Sequence, residues 1–203
     1  MNKTLKLYRK PIKIAIFLLA LLPWVFMWIA AVQESLGPDP AKALSHISGE
    51  WALRFLVLTL AITPIRLISQ SAEWIHYRRM LGLFAFFYAV NHLIIYCLFL
   101  LALQWQELWA DIVERPFITV GFLALLILLP LAITSTKNWQ RKLGRNWARL
   151  HKLIYIAVAL VLLHFIWQAR SDLTEPLVYT AVVIVLMLFR LSKIKKLLSR
   201  WTA

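Results

Sequence analysis

The chain has 203 residues, of which 62% are apolar and only 16% are charged, and its net charge is +14. This apolar share is far above that of soluble domains, so the composition excludes a water-soluble enzyme or binding domain. The single cysteine, Cys97, excludes an internal disulfide and any cysteine-based zinc or iron–sulfur centre. The sequence therefore predicts an all-α integral membrane protein.

Six apolar segments follow one another along the chain, and each is long enough to predict a membrane-spanning helix. The first segment follows a basic N-terminal stretch, as the apolar region of a signal peptide does. The segment is about twenty residues long, which favours an uncleaved membrane span. Together the segments predict a six-transmembrane-helix bundle that forms a single domain over residues 1–203. Their approximate bounds are 14–33, 51–68, 80–103, 117–136, 150–169 and 176–191.

The distribution of basic residues between the predicted loops indicates how the bundle is oriented. With the N-terminus in the cytoplasm, every acidic residue except Glu73 falls outside. We therefore expect the N- and C-termini to be cytoplasmic. The positive charge then marks topology and contact with anionic membrane lipid, and it does not indicate binding to nucleic acid. The same orientation puts all Lys and Arg residues on the cytoplasmic side except Lys42, Arg54, Arg115 and Arg170.

Two histidines lie deep inside apolar segments, where ionisable residues are costly and indicate function. His92 in the third segment and His164 in the fifth lie about 18 Å and about 21 Å from the cytoplasmic ends of their helices, given a rise of about 1.5 Å per residue. Imidazole is a common axial ligand of iron, so two imidazoles at similar depth predict a haem held between these helices. The alternative for each is a buried histidine that bonds to a neighbouring helix.

His151 lies at the cytoplasmic edge of the fifth segment and is a candidate ligand for a second haem. It is about 20 Å from His164 along the axis. The helical period places the two about 140° apart around the helix, so they do not share a face. The second site needs a partner, for which His76 is the candidate, and the alternative is a histidine at the lipid interface. His46 opens the second segment and is a weaker candidate for a cofactor role.

Three further residues are expected in the surroundings of an outer haem. Arg54 lies a turn inside the outer end of the second helix and needs an anionic partner, which is either a haem propionate or Glu50 four residues earlier. Tyr88 and Tyr96 flank His92 at four residues on either side. We expect them to donate a hydrogen bond to His92 or to a propionate, although aromatic residues at this spacing also serve packing alone.

The chain contains the stretches LGPDP, LTLAITPIR, RRMLGLFAF, ERPFITVG and TSTKNWQRKLGRNWARLHKLIY. Together these stretches resemble the MsrQ family of haem-binding membrane subunits, within the ferric reductase-like transmembrane group. His92, His151 and His164 match the ligand candidates of that family by position, whereas His76 does not. The resemblance covers nearly the whole chain.

The resemblance implies a multi-pass b-type cytochrome of the bacterial inner (cytoplasmic) membrane that binds haem b and FMN. It implies electron transfer from the quinone pool, or from a cytosolic flavin reductase, to a periplasmic molybdopterin-containing methionine sulfoxide reductase subunit (MsrP-like), which repairs oxidised proteins. The chain has no G-x-G-x-x-G fingerprint, so we expect an electron conduit and not the sulfoxide-reducing catalytic subunit. The expected neighbours of the FMN phosphate are Lys137, Arg141, Lys142 and Arg145.

Two other functions stay open on the sequence alone. One is a stand-alone ferric or quinone reductase that acts without a dedicated partner. The other is a non-haem membrane transporter subunit, in which the histidines would pack or relay protons. Paired inverted repeats or broken helices would favour the transporter, and the sequence shows neither.

Overall fold

A computed structural model describes residues 8–169 and 172–190 of the chain. Helix is the only regular secondary structure in these two ranges, which confirms the predicted all-α class. Five helical segments are long and apolar enough to cross a membrane, and the chain is therefore a multi-pass membrane protein. These segments are Arg9–Val32, Pro40–Ser69, Ala72–Leu100, Pro116–Ile133 and Arg145–Gln168.

The described ranges contain nine α-helices joined by short connections. Single 3-10 turns at Ala72–Trp74 and His151–Leu153 precede the third and the eighth helix, and a π-turn at Tyr96–Leu100 follows the third. The helices are α1 (Arg9–Val32), α2 (Pro40–Ser69), α3 (Ile75–Ile95), α4 (Trp105–Glu114), α5 (Pro116–Ile133), α6 (Lys137–Leu143), α7 (Arg145–Leu150), α8 (Ile154–Gln168) and α9 (Thr174–Leu188).

The second helix is much longer than the predicted segment 51–68. It begins at Pro40 because proline suits the first helical position, and because the carboxylate of Asp39 accepts a hydrogen bond from the N–H of Lys42 at 3.0 Å. His46, which was expected to open this helix, therefore lies inside it. The extension adds about three turns to α2 at the end that faces His92.

The last predicted segment, 176–191, corresponds to the shorter helix α9. Its 15 residues fall below the roughly 20 that a straight span needs. Residue 191 and both chain termini lie outside the described residues, so the expected sixth span and the cytoplasmic termini stay predictions.

Two segments predicted as loops are helical. The connection 137–149, which was predicted to be cytoplasmic, contains α6 and most of α7. Thr136 caps α6 by accepting a hydrogen bond from the N–H of Trp139 at 3.4 Å. The connection between α3 and α5 contains α4, which exposes Trp105 and Trp109 while burying Asp111. Exposed tryptophan beside a buried polar anchor suits a helix at the membrane–water interface.

The core lies between α2, α3, α5 and α8, and α1 and α9 pack against its sides. Leu60, Tyr88 and Ala157 are each 0% exposed at its centre. Many other large apolar side chains of α1, α5 and α9 face outward. This distribution is expected when lipid, and not water, surrounds the bundle, because lipid tails do not drive apolar residues into the interior.

Tyr88 joins α3 to α1 at the proline of α1. Pro23 interrupts α1, and the Tyr88 hydroxyl donates to the carbonyl of Ala20 at 2.8 Å and accepts from the N–H of Trp24 at 3.0 Å. It therefore stands between two backbone groups that bond to each other in a regular helix. The expected hydrogen bond from Tyr88 to His92 is not formed, because α1 takes up the hydroxyl.

Replacing Tyr88 by Phe should lower the free energy of unfolding by about 1–3 kcal/mol, because a buried carbonyl and N–H lose their partner. Chemical denaturation in detergent micelles, followed by tryptophan fluorescence, measures the loss. Tyr77→Phe is the matched control on the same helix. Tyr77 is also buried, but its hydroxyl has no hydrogen-bond partner within the described ranges. Equal losses in both variants would contradict the bridging role of Tyr88.

Candidate functional site

His92 of α3 and His164 of α8 lie side by side within the bundle. Their ring centres are 6.2 Å apart, and the ring planes are inclined at 79°. The structure therefore brings together the two histidines that were expected at one depth on two helices.

Each of these histidines is oriented by a backbone carbonyl of a neighbouring helix. Nδ1 of His92 lies 2.8 Å from the carbonyl oxygen of Ser45 in α2, and Nδ1 of His164 lies 2.6 Å from that of Phe117 in α5. A carbonyl only accepts, so each Nδ1 carries the hydrogen, and in the neutral ring each Nε2 carries a lone pair. Neither Nε2 has a hydrogen-bond partner in the part of the chain that the structure describes. Metal-binding histidines are commonly held by this kind of second hydrogen bond.

Two glycines allow the rings to reach these carbonyls. A Cβ atom at Gly121 would lie 2.6 Å from Nδ1 of His164, and one at Gly49 would lie 3.1 Å from Nδ1 of His92. Each glycine follows its carbonyl residue by four positions. Because Cα–Cβ bonds tilt toward the N-terminus of a helix, a side chain at that position would cover the carbonyl. The two half-sites are therefore built in the same way.

Small polar residues complete the surroundings of His92. The hydroxyls of Ser45 and Ser48 lie 3.4 Å and 3.5 Å from its Nδ1, and Ser48 also donates to the Ser45 carbonyl at 2.9 Å. Sequence reasoning missed these serines and both glycines. Two features of the sequence could have indicated them. They are the small residues in SHISGE near the start of α2 and the single glycine in the otherwise apolar segment FITVGFLALL.

Arg54 and His46 lie on the same part of α2 and have protein partners. Nη2 of Arg54 donates to Glu50 at 2.7 Å, which is the alternative partner that the sequence offered, and its Nε donates to the Tyr179 hydroxyl at 3.1 Å. The amide nitrogen of Gln168 lies 2.8 Å from Nε2 of His46 and joins the end of α8 to α2.

Tyr96 lies one turn after His92, in the π-turn at the end of α3. Its hydroxyl donates to the buried carboxylate of Asp111 in α4, and that carboxylate also accepts from Nε of Arg115 at 2.8 Å. The expected hydrogen bond from Tyr96 to His92 is therefore not formed. Tyr96 instead ties the interfacial helix α4 to the end of α3.

The structure does not bring His151 together with His76. The ring of His151 stacks on Trp147 with centres 4.1 Å apart, and its Nε2 lies 3.1 Å from the Thr134 hydroxyl. Nδ1 of His76 lies 3.1 Å from the carbonyl oxygen of Glu73. Within the described residues no hydrogen bond or ring contact joins the two histidines, and Nε2 of His151 lies against Thr134, so the second haem stays a prediction.

The expected neighbours of a flavin phosphate form an exposed basic surface on α6 and α7. Nη2 of Arg141 donates to Asn138 at 2.6 Å, and Nζ of Lys142 lies 4.9 Å from the centre of the Trp139 ring. Lys137 and Arg145 are exposed.

The donor set of the site is two imidazoles. Residues 8–169 and 172–190 contain no group of three or more His, Cys, Asp or Glu side chains that would hold a metal ion. His92 and His164 alone would leave most coordination positions of a metal unfilled. Such a pair suits a metal whose other positions are occupied by a macrocycle.

Comparison with known proteins gives consistent results. The family model of the ferric reductase like transmembrane component matches residues 48–163, a range that ends next to His164. The protein-methionine-sulfoxide reductase heme-binding subunit MsrQ of Xanthomonas euvesicatoria pv. vesicatoria is 49% identical over 177 residues, which cover 86% of this chain and 81% of the relative. The protein of the same name from Brucella ovis is 46% identical over 172 residues, with 84% and 77% covered. No solved structure matches the chain significantly.

Gly121→Ala should lower the free energy of unfolding by about 1–3 kcal/mol, because the added methyl group overlaps the ring of His164. Thermal or chemical denaturation of the purified protein measures the change. Gly82→Ala is the matched control in α3, since a Cβ there meets Thr59 at an ordinary distance of 3.6 Å. It should leave stability unchanged or higher, because Ala favours a helix more than Gly does. If Gly121→Ala were as stable as Gly82→Ala, the ring of His164 would not pack against Gly121.

Proposed function

Since the chain belongs to the ferric reductase-like transmembrane family, among the MsrQ haem-binding subunits, we propose that it holds a haem b between His92 and His164 and carries electrons across the membrane. The observation that supports this most directly is the pair of neutral imidazoles whose Nδ1 atoms are bound to carbonyls. Their Nε2 atoms stay available and would hold the iron of the haem.

The separation of the two rings fits an iron atom between them. Iron bonded to both Nε2 atoms at about 2 Å would hold the ring centres about 6 Å apart once the radius of each ring is added. The observed separation is 6.2 Å. Haem, when bound, supplies a carrier that takes up and releases one electron at a time.

The residues of the chain hold and tune this group. The carbonyls of Ser45 and Phe117 keep the hydrogen of each imidazole on Nδ1, and they make each ligand more basic by accepting that hydrogen bond. Gly49 and Gly121 allow the rings to approach the backbone. The apolar side chains of α3 and α8 keep water away from the pair, which would favour the less charged state of the iron.

The proposed direction of transfer rests on the orientation of the chain in the membrane, which the charge distribution in the sequence supports. We propose six spans, with α9 as the last, and cytoplasmic termini, because this arrangement keeps most Lys and Arg residues inside. His92 and His164 would then lie in the outer half of the bacterial inner membrane. Electrons would enter from the quinone pool or from a cytosolic flavin reductase, with FMN at the cytoplasmic end.

The proposed acceptor is a periplasmic molybdopterin-containing methionine sulfoxide reductase subunit. Support comes from the names of the relatives, which describe heme-binding subunits of a protein-methionine-sulfoxide reductase. In this proposal the chain delivers electrons and the partner performs the chemistry on the sulfoxide. A single domain over residues 1–203 suffices for that role.

The purified protein should show the absorption spectrum of a b-type haem, and His92→Ala and His164→Ala should each abolish it, because one axial ligand is lost. His76→Ala is the control, since His76 is exposed and contacts Glu73. It should leave the spectrum intact. An unchanged spectrum in both His92→Ala and His164→Ala would contradict haem binding by these two residues. A colourless, iron-free preparation of the native chain would favour a non-haem transporter subunit.

Deleting the chain from its host should abolish reductive repair of oxidised periplasmic methionine, because the acceptor subunit loses its electron supply. The methionine sulfoxide content of periplasmic proteins, measured by mass spectrometry after oxidant treatment, follows the repair. A copy with His76→Ala should restore it, whereas a copy with His164→Ala should not. Normal repair in the deletion strain would favour a stand-alone ferric or quinone reductase.

A further inference from the structure

Three basic side chains from different elements gather near the end of the bundle opposite to the His92–His164 pair. They are Arg78 of α3, His151 in the turn before α8, and Arg190 just after α9. Arg78 lies one turn before Gly82, where α3 packs closely against Thr59 of α2, and Arg190 donates to the carbonyl of Leu60, the residue after Thr59. The charge of Arg190 acts on Arg78, and the charge of Arg78 acts on His151. We call these three residues the inner basic cluster.

Arg190 is held in place by two groups that only partly satisfy it. Its Nη1 donates to the hydroxyl of Tyr155 at 2.8 Å, and its Nη2 donates to the carbonyl of Leu60 at 3.1 Å. That carbonyl is free because Pro64, one turn later in α2, has no N–H to offer. Nε of Arg190 is buried and has no partner within the described ranges.

No acidic side chain in the described part of the chain neutralises the inner basic cluster. All nine acidic side chains lie within the described residues. The one acidic residue on this side, Glu73, is bound by Arg9 at 2.7 Å and approached by His76 at 3.9 Å. Arg78 has neither a hydrogen bond nor an ion pair to any described residue, although it is partly buried.

Uncompensated charge of this kind is unfavourable near a low-dielectric membrane interior, and two neighbouring guanidinium groups also repel each other. A bound anion would remove both problems. Guanidinium groups present planar pairs of N–H donors that match the oxygens of a phosphate. The partly satisfied donors of Arg190 and the unpartnered donors of Arg78 suit such a group.

We propose that Arg78 and Arg190 bind a phosphate group at this end of the bundle, with Tyr155 holding Arg190 in orientation. The phosphate belongs either to an anionic lipid headgroup or to a flavin mononucleotide, and only the second source rests on the flavin binding proposed above. The site is distinct from the exposed basic surface of α6 and α7, where the sequence predicted a flavin phosphate.

The flavin source is tested by titrating the purified full-length protein with FMN and with riboflavin, which lacks the phosphate, and following flavin fluorescence. FMN should bind at least about tenfold more tightly than riboflavin, because charge-assisted hydrogen bonds are lost with the phosphate. Arg78→Gln should remove this preference. The matched control is Arg79→Gln, the next residue of the same helix, whose exposed side chain should contribute nothing.

The lipid source is tested by placing the same variants in nanodiscs of phosphatidylcholine alone or with phosphatidylglycerol. Phosphatidylglycerol should raise the unfolding temperature of the native chain and of Arg79→Gln, but not that of Arg78→Gln. Native mass spectrometry should show retained phosphatidylglycerol with the same dependence on Arg78. This experiment measures the binding of phosphatidylglycerol only, so its result does not depend on haem or on flavin.

A dependence on Arg78 in either experiment supports the phosphate site and identifies its source. Equal behaviour of Arg78→Gln and Arg79→Gln in both experiments overturns it. Circular dichroism checks that Arg78→Gln folds. If it does not fold, Arg78→Lys keeps the charge but loses the paired donors, and it should weaken the phosphate preference several-fold where Arg79→Lys does not.

Discussion

Two hydrogen bonds between neighbouring helices fix the chemical state of the candidate site. They run from Nδ1 of His92 to the carbonyl of Ser45 and from Nδ1 of His164 to the carbonyl of Phe117. In a surrounding without water, a helix carbonyl that is reachable from the side is a scarce acceptor, and an imidazole without a partner is costly. Each bond therefore selects the tautomer, holds the ring and leaves Nε2 pointing away from its own carbonyl. The proposed haem and electron transfer depend on this arrangement.

The rest of the fold supports these bonds by bringing the right backbone beside each ring. The early start of α2 at Pro40 makes Ser45 part of a rigid helix and not of a loop, so its carbonyl has a fixed position. On the other side, α5 begins at Pro116, immediately before Phe117. The carbonyl residue precedes its histidine by 47 positions in both half-sites. In each of the helix pairs α2–α3 and α5–α8, a backbone carbonyl of the first helix therefore holds a histidine of the second in the same way.

Composition and helical depth were enough to predict the all-α membrane class and the pairing of His92 with His164. The rise per residue is a property of the helix alone, so it can be read from sequence. The partners of Tyr88 and Tyr96 could not be predicted, because a tyrosine hydroxyl reaches far from its own helix and bonds to whatever helix lies there. Helix α4 was not predicted, because a segment of ten residues with this many polar side chains is too short and too polar for a membrane span. The sixth span, the orientation and the haem ligation stay predictions.

The relative orientation of the two imidazoles offers the most direct test of the central claim. Their planes are inclined at 79°, and both rings are held by carbonyls that a bound haem would not displace. Low-temperature electron paramagnetic resonance of the oxidised, purified protein should therefore show a low-spin ferric haem with the highly anisotropic signal of nearly perpendicular axial imidazoles. A high-spin signal would contradict the proposed ligation by His92 and His164, and the rhombic low-spin signal of parallel imidazoles would contradict the claim that the two carbonyls fix the orientation of the rings.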